Sequence, residues 1–441
     1  MIRKKKIGFI LFLPILSLTL SKQNFLIASQ ATINFRPFQA YRPTNKLVPS
    51  FTCPPYNSIN SIHAYQFACS HKDNFIHVIR PTINLSTESD LYDNMAAHAG
   101  KAYLEALIKK ETLKKDTKPA YYLYGQQKDG STMFGIIGEL ALDNYQHDLV
   151  KPHEKIISTK KRAVTTFTKI QQAQIDPIVL AYKSNPTINA IIERTAQQKP
   201  TQQCVTEDNI THYLWVIDKQ ETIIKLEEAF NSISKLYIAD GHHRSASAKQ
   251  LFKKEPHNVF YHHILAALFS DTSITILAYN RLLKSLAGLS GYAFLNIIKK
   301  SFYLKRVADA AQAEPLKAHD FGMLLDGSWY TLSLHKKFIT MRQNNPVESL
   351  DITILNELLL QPFFQVRKLI IDQDIEFIGG LKNTNELEEA YRQGGWHVAF
   401  ALYPVSLQQL MSVVDAGQLM PAKATWFEPK IRPGFIVRCA N

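Results

Sequence analysis

The stretch KLYIADGHHRSASAKQLFKK, residues 235–254, constrains the fold of this chain more than any other. Lys235 to Ala239 is short and apolar enough for a buried strand. Asp240-Gly241 is a strong turn signal, and Ser245 to Lys254 is rich in helix formers. A strand, a tight turn and a helix in immediate succession call for a layered α/β arrangement, with every polar residue of the stretch at the turn. In open α/β sheets, ligands sit at the carboxyl ends of strands, where a helix N-terminus offers free amides and positive dipole.

Each residue of the turn has a chemical use. Gly241 lets backbone approach a phosphate with no side chain in the way. Arg244 can clamp phosphate oxygens with two donors in a fixed fork. His242 and His243 point in different directions, so one is expected to face a ligand and the other to hold the turn by bonding backbone. Asp240 can accept a hydroxyl proton or hold a hydrated magnesium ion. The plainer reading makes Asp240 a helix cap, the histidines surface groups and Arg244 half of an ordinary ion pair. Zinc is disfavoured, because adjacent histidines do not easily reach one metal and the i, i+4 spacing is absent.

A second cluster, KPHEKIISTKK at 151–161, packs Lys151, His153, Glu154 and Lys155 just beyond another strand-like region. Two such clusters are expected to form opposite walls of a phosphate site, one side neutralising charge while a carboxylate orients or deprotonates the acceptor. A third, MPAKATWFEPKIRPG at 420–434, holds Trp426 and Phe427, which read as a buried anchor. Lys423, Thr425, Lys430 and Arg432 rank lower as phosphate ligands. His257, His262 and His263 suggest no ligand set, and Arg42, Tyr56 and Asn57 lie in proline-stiffened loops.

The rest of the chain alternates between strand and helix patterns, which predicts a mixed α/β (α+β) fold. Strands are expected at 74–80, 177–183, 212–217 and 235–239, and around 375–380. Asp-Gly hairpins are expected at Asp129-Gly130 and within 324–334. Helices are expected from about Asp90 to Lys114 and near 351–361 and 405–414. Polar stretches near 307–320 and 336–348 suggest a phosphate-binding lobe over 32–306 and a completing lobe over 307–441.

Formal net charge is +13, which favours anionic ligands without naming one. The lysines are scattered, and neither a helix-turn-helix nor aromatic-basic interleaving argues for nucleic acid. Cys53, Cys69, Cys204 and Cys439 are too few and too far apart for a disulfide framework or a CxxC metal site, so free buried thiols are expected. Arg3 to Lys6 precede IGFILFLPILSLTL, shorter than the roughly twenty residues a bilayer span needs. Residues 1–31 therefore read as a signal-like leader, an anchor or an extended start, and the chain meets a membrane only through them. No GxxxxGK[ST], GxGxxG or GxSxG motif is present, which removes support for Walker NTPases, Rossmann dehydrogenases and serine hydrolases.

The ordered set FRPFQAYRP, CPPYN, FIHVIRP, KPHEK, AQIDPIVLAY, YIADGHHRSASA, FGMLLDG, FIGG and MPAKATWFEPK resembles a widespread prokaryotic family known as domain of unknown function one thousand and fifteen. The box at 240–244 also resembles that of free-serine kinases of the ParB and sulfiredoxin-like superfamily. The resemblance implies a ParB/sulfiredoxin-like core elaborated with hairpins and helices. It implies phosphorylation of a small hydroxyl compound, with free L-serine as the expected acceptor, by a nucleotide or pyrophosphate with Mg2+. Glu154, Asp240 and His243 are then the catalytic set, with Gly241, His242, Arg244, Lys155 and His153 as phosphate or nucleotide ligands. The chain departs from the family's pattern at Asn57 and Ile156, and at Lys160, Lys161 and Arg162, where acids are frequent. Such a kinase is expected in the cytoplasm, with an anchored or exported form as the alternative. The competing functions are a non-catalytic ParB-like nucleotide-binding or nucleic-acid-associated regulator, and a degenerate homologue without turnover.

Overall fold

The continuous apolar runs PIVLAY and HILAALFS become neighbouring parallel strands, Ile178–Tyr182 and His263–Ser270, in the middle of a nine-stranded sheet. Alternate residues point to opposite faces of a strand. Ile178, Leu180, Ala266 and Leu268 enter one core, with Ile188, Leu226 and Phe230 from the covering helices. Val179, Ala181, Leu265, Ala267 and Phe269 enter another, with Phe294, Leu325, Phe400 and Phe427. Burial on both faces explains why these strands lack polar alternation. The computed structural model describes residues 32–56, 58–59, 61–85, 94–286, 288–364, 375–381 and 383–440. The leader at 1–31, Asn57 and the start of the helix expected from Asp90 lie outside the described residues.

The large sheet runs in the order Val150–Lys151, Leu236–Asp240, Ile178–Tyr182, His263–Ser270, Ser131–Ala141, Tyr121–Lys128, Thr211–Ile217 and Gln202–Val205, with Phe35–Arg36 pairing to Ser131–Ala141. A six-stranded sheet is built from Tyr279–Leu283, Phe302–Val307, Asp320–Leu325, Ser328–Leu334, Ile375–Gly379 and Val398–Leu402. Its strands lie on both sides of the division expected at 306/307. Thr32–Asn441 forms one unit by contact.

Both Asp-Gly hairpins are present. Asp129 and Gly130 stand at φ 52° and 80°, and Asp326 and Gly327 at 46° and 73°, the pair of positive φ values that a tight hairpin turn requires. The strand expected at 74–80 is not formed. Residues 74–80 carry the helical turn Ile76–Ile79 in place of a strand. Asn74 Oδ1 accepts from the Ile76 amide at 2.8 Å, an Asx turn that leads into the helix, and Phe75, Ile76 and Val78 are all buried. The next helix spans Asn94–Lys109, and Leu113–Lys115 turns into a strand against Tyr41–Pro43. All four cysteines are free, with Cys69 exposed where burial was expected. Among the described residues, no helix is long and apolar enough to cross a membrane.

Candidate active site

Asp240 closes its strand, and Gly241 turns the chain into the helix His242–Lys254. Gly241 stands at φ 91°, ψ 29°, where a side chain costs roughly 1–2 kcal/mol. A Cβ there would also lie 2.8 Å from Ile178 Cγ2. No side chain caps this helix, so its first-turn amides keep their hydrogen-bonding capacity for a ligand.

The 151–161 segment meets the box because Val150 and Lys151 pair in parallel with Leu236 and Tyr237. The chain then crosses the first turn of the helix. The amide of His153 donates to His242 Nε2 at 3.2 Å, and that of Ile157 to His243 Nε2 at 3.1 Å. An accepting Nε2 leaves the ring proton on Nδ1. Burial, aided by neighbouring His153 and by cations, drives the His242 pKa well below its ordinary value; burial, Lys160 and Arg244 lower that of His243. Both histidines therefore hold backbone, which replaces the expected division of one for the ligand and one for the turn. His242 Nδ1 lies 3.7 Å from Glu154 Oε2. His153 is buried edge-on against His242, with ring centroids 4.3 Å apart, and its Nε2 is 3.3 Å from Thr425 Oγ1. Burial holds His153 at about 4. Lys155 is exposed beside Glu154.

Arg244 is directed to protein groups. Its Nη1 donates to the carbonyls of Asp176 and Pro177 at 2.8 and 2.6 Å and pairs with Asp176 Oδ2 at 2.5 Å. Its Nη2 is 3.8 Å from Asp240 Oδ1. Asp176 had drawn no attention in the sequence. The signal was a carboxylate placed immediately before Pro177 and a wholly apolar strand.

The 420–434 segment supplies more of the site than its rank suggested. Lys430 Nζ lies 3.1 Å from Asp240 Oδ2 and 5.0 Å from the Trp426 ring centre. Lys423 Nζ is 5.2 Å from the ring centre of Tyr279. Phe427 is buried, as expected of an anchor, whereas Trp426 is only partly buried. Arg432 turns away to Thr52 Oγ1 at 2.9 Å. Tyr279 and Arg281 were also missed. Their signal was an arginine inside the apolar strand AYNRLL.

The carboxylates respond oppositely to this surrounding. Burial works against the Asp240 charge, but Lys430, Arg244 and hydrogen bonds from Lys430 and the Gly241 amide prevail and hold its pKa at about 2. Burial raises Glu154, and Asp240 adds to the effect against the pull of Lys423, Lys430 and Lys160. Burial likewise raises Asp176 against Arg244. Tyr279 is pushed up to about 12 by burial, Glu154 and Asp240. Burial, then Lys160, lowers Lys423, and burial alone takes Arg281 down to about 9. Among the described residues, no group of three or more His, Cys, Asp or Glu side chains is placed to hold a metal ion. Magnesium keeps several waters and takes one or two carboxylates with substrate phosphates, and an ionised Asp240 suits that chemistry.

A cleft of about 220 Å³ lined by Lys183, Asn185, Ser232, Lys235 and Tyr237 lies elsewhere. It sits at the other end of the antiparallel strands Ile178–Tyr182 and Leu236–Asp240 from the box.

Among solved structures, a free serine kinase in complex with AMP is 14% identical over 66% of this chain and 86% of that one, at a TM-score of 0.31. A conserved hypothetical protein from Pyrococcus furiosus is 12% identical over 66% and 90%, at 0.31. SbnI with C-terminal truncation from Staphylococcus aureus is 11% identical over 67% and 84%, at 0.36. No curated protein matches the chain. The model of a family described as "Protein of unknown function (DUF1015)" matches residues 35–353, which include Glu154, the whole 240–244 box and Arg281, and the chain belongs to that family.

Proposed function

We propose that this protein is a phosphotransferase acting on a small hydroxyl-bearing metabolite, with free L-serine as acceptor and a nucleotide or pyrophosphate as donor. The observation that carries this reading is the arrangement of two carboxylates in one corner: Asp240 lies between Lys430 at 3.1 Å and Arg244 at 3.8 Å and is held ionised, while Glu154 lies against the neutral His242 at 3.7 Å and is raised. Environments that push two carboxylates apart assign one to proton transfer and the other to permanent charge. Glu154 accepts the hydroxyl proton as the acceptor oxygen attacks the terminal phosphorus. The bond from phosphorus to the bridging oxygen breaks, and that oxygen leaves on the donor with the bonding electrons. Lys423, Lys160 and the first-turn amides of the helix meet the phosphates, while Asp240 orients Lys430.

His242 and His243 serve by fastening 153–157, and so Glu154, to the box. Arg244 braces Asp240 through the 176–177 loop. Magnesium would be held by Asp240 with the donor's phosphates and would neutralise their charge. Residues from both expected lobes meet here, the box from 32–306 and Lys423 and Lys430 from 307–441, so the two act as one unit. A donor of this kind is plentiful in the cytoplasm, which is where the reading puts the folded chain. The serine acceptor rests on the resemblance of the box to that of free-serine kinases.

The test is phosphorus NMR of the full chain with magnesium, ATP, ADP or pyrophosphate, and free amino acids. A phosphomonoester signal that grows with serine as the donor is consumed is expected. A folded protein that consumes no donor with any acceptor would sink the reading.

A further inference from the structure

Arg281 is fully buried within the strand Tyr279–Leu283. Buried charges are normally paired. Arg281 has no carboxylate within ion-pair distance among the described residues. Its Nη1 donates to the Tyr279 carbonyl at 2.7 Å and its Nη2 to the Lys423 carbonyl at 3.0 Å, with a longer 3.4 Å contact from Nη1 to Asn280 O. Its Nε meets no acceptor, and the guanidinium lies 4.4 Å from the Phe377 ring centre.

The bond to Lys423 gives this costly arrangement a purpose. Lys423 stands at φ 55°, a left-handed conformation that a lysine holds only against a steric penalty. A donor fixed on its carbonyl stabilises that conformation, in which the ammonium is held over Tyr279 and interacts with Glu154. The charges around the corner are also coupled. Lys160, Lys423 and Lys430 act on Glu154, Arg244 and Lys430 on Asp176 and Asp240, and Arg281 on Lys423, while Glu428 accepts from the Lys430 amide at 3.2 Å. Three lysines converging on one carboxylate attract an anion that carries more than one charge.

We propose that Arg281 is a positioning residue of the phosphate site: its bond to the Lys423 carbonyl sets that lysine beside Glu154, where the ammonium meets a ligand bearing two or more negative charges, a di- or polyphosphate. This rests on the reading of the corner as a phosphate site, and it predicts an arginine that matters for ligand more than for fold. Replacing a buried, unpaired charge by an apolar side chain of similar length relieves desolvation.

The experiment is calorimetric titration of the full chain with pyrophosphate and with inorganic phosphate, alongside thermal unfolding, for wild type, Arg281→Met, Arg281→Lys, Lys423→Met and the double variant Arg281→Met/Lys423→Met. Arg281→Met should keep or raise the thermal midpoint and weaken pyrophosphate about tenfold or more, with a smaller loss for inorganic phosphate. Lys423→Met should weaken pyrophosphate similarly, and the double variant should lose much less than the product of the two, because both act through one group. Arg281→Lys keeps a charge without the fork that spans two carbonyls, and should fall between wild type and Arg281→Met. Wild-type pyrophosphate affinity in folded Arg281→Met or Arg281→Lys overturns the proposal. So does unfolding of both, which would make Arg281 a purely structural group. A wild-type protein that binds neither probe defeats the phosphate-site reading itself, a different outcome.

Discussion

Lys430 Nζ lies 3.1 Å from Asp240 Oδ2, although the two residues are 190 positions apart. The pair joins the strand end of the box to the 420–434 segment. It also gives Asp240 a counterion on the side opposite Arg244, which lies 3.8 Å from the other carboxylate oxygen. Asp240 is therefore held charged by groups from two separate parts of the sequence.

Lys430→Met should raise the Asp240 pKa. In the native protein that pKa is depressed from 3.8 to about 2, so the Asp240 charge contributes stability that is fully present above pH 3.8. That contribution is lost as the pH falls through about 2. A carbon-13 titration of the Asp240 carboxyl should show its midpoint move upward in the variant. The difference in thermal midpoint between wild type and variant should narrow as the solution is acidified through that window. An Asp240 midpoint unchanged by the substitution would mean that Lys430 does not set the charge.

The reach of the sequence follows the range of the interactions. The box and its helix were legible because strand, Asp-Gly turn and helix formers are local signals, and the same holds for the hairpins at Asp129-Gly130 and Asp326-Gly327. The partnership of 151–161 with 240–244 could be guessed from two similar clusters, but not its cause, the short parallel pairing of Val150 with Leu236. Lys430 and Lys423 were undervalued because a lysine between prolines reads the same on a surface as in a site. Asp176 and Arg281 were missed because their meaning is long-range: one takes the Arg244 guanidinium and the other reaches the Lys423 carbonyl. The 74–80 run was misread because the Asn74 side chain turns the backbone through its bond to the Ile76 amide, while Phe75, Ile76 and Val78 are buried as a strand reading would also have them.

Glu154→Gln should separate catalysis from stability. With the base removed, turnover should fall about a hundredfold or more while donor binding stays close to wild type. In the wild type the rate should rise with pH through a value above 4.5, the ordinary glutamate position, because burial and Asp240 raise this carboxyl. A raised carboxylate pKa means the charged form is disfavoured in the folded state, so stability declines as the pH rises past the unfolded value. The neutral amide should then leave the thermal midpoint at pH 7 equal to or above that of wild type. Unchanged turnover in the variant would remove Glu154 from the mechanism.

Gly241→Ala should damage the fold as well as the site. Alanine at φ 91° is strained by roughly 1–2 kcal/mol, and its Cβ would press on Ile178 Cγ2 at 2.8 Å. Adding Ile178→Ala opens space for the methyl but leaves the backbone angle unchanged. Denaturant unfolding of the single and double variants tells the two causes apart. The double variant should show no full rescue, and complete recovery would assign the whole cost to the clash.

Arg244→Ala should lower stability before it lowers anything else. A side chain that only met a ligand could be removed with little effect on unfolding, yet this one donates to the Asp176 and Pro177 carbonyls and pairs with the Asp176 carboxylate. Truncation leaves those acceptors with water at best, at a cost on the order of 2 kcal/mol. It also removes one of the two cations that depress Asp240. Arg244→Lys should recover part of the charge effect on Asp240 but little of the stability, because an ammonium cannot reproduce the planar fork. Chemical denaturation of the three proteins, paired with pyrophosphate titration of each, distinguishes the roles. A denaturation midpoint unmoved in Arg244→Ala, together with a large loss of pyrophosphate affinity, would return Arg244 to the role of a direct phosphate ligand.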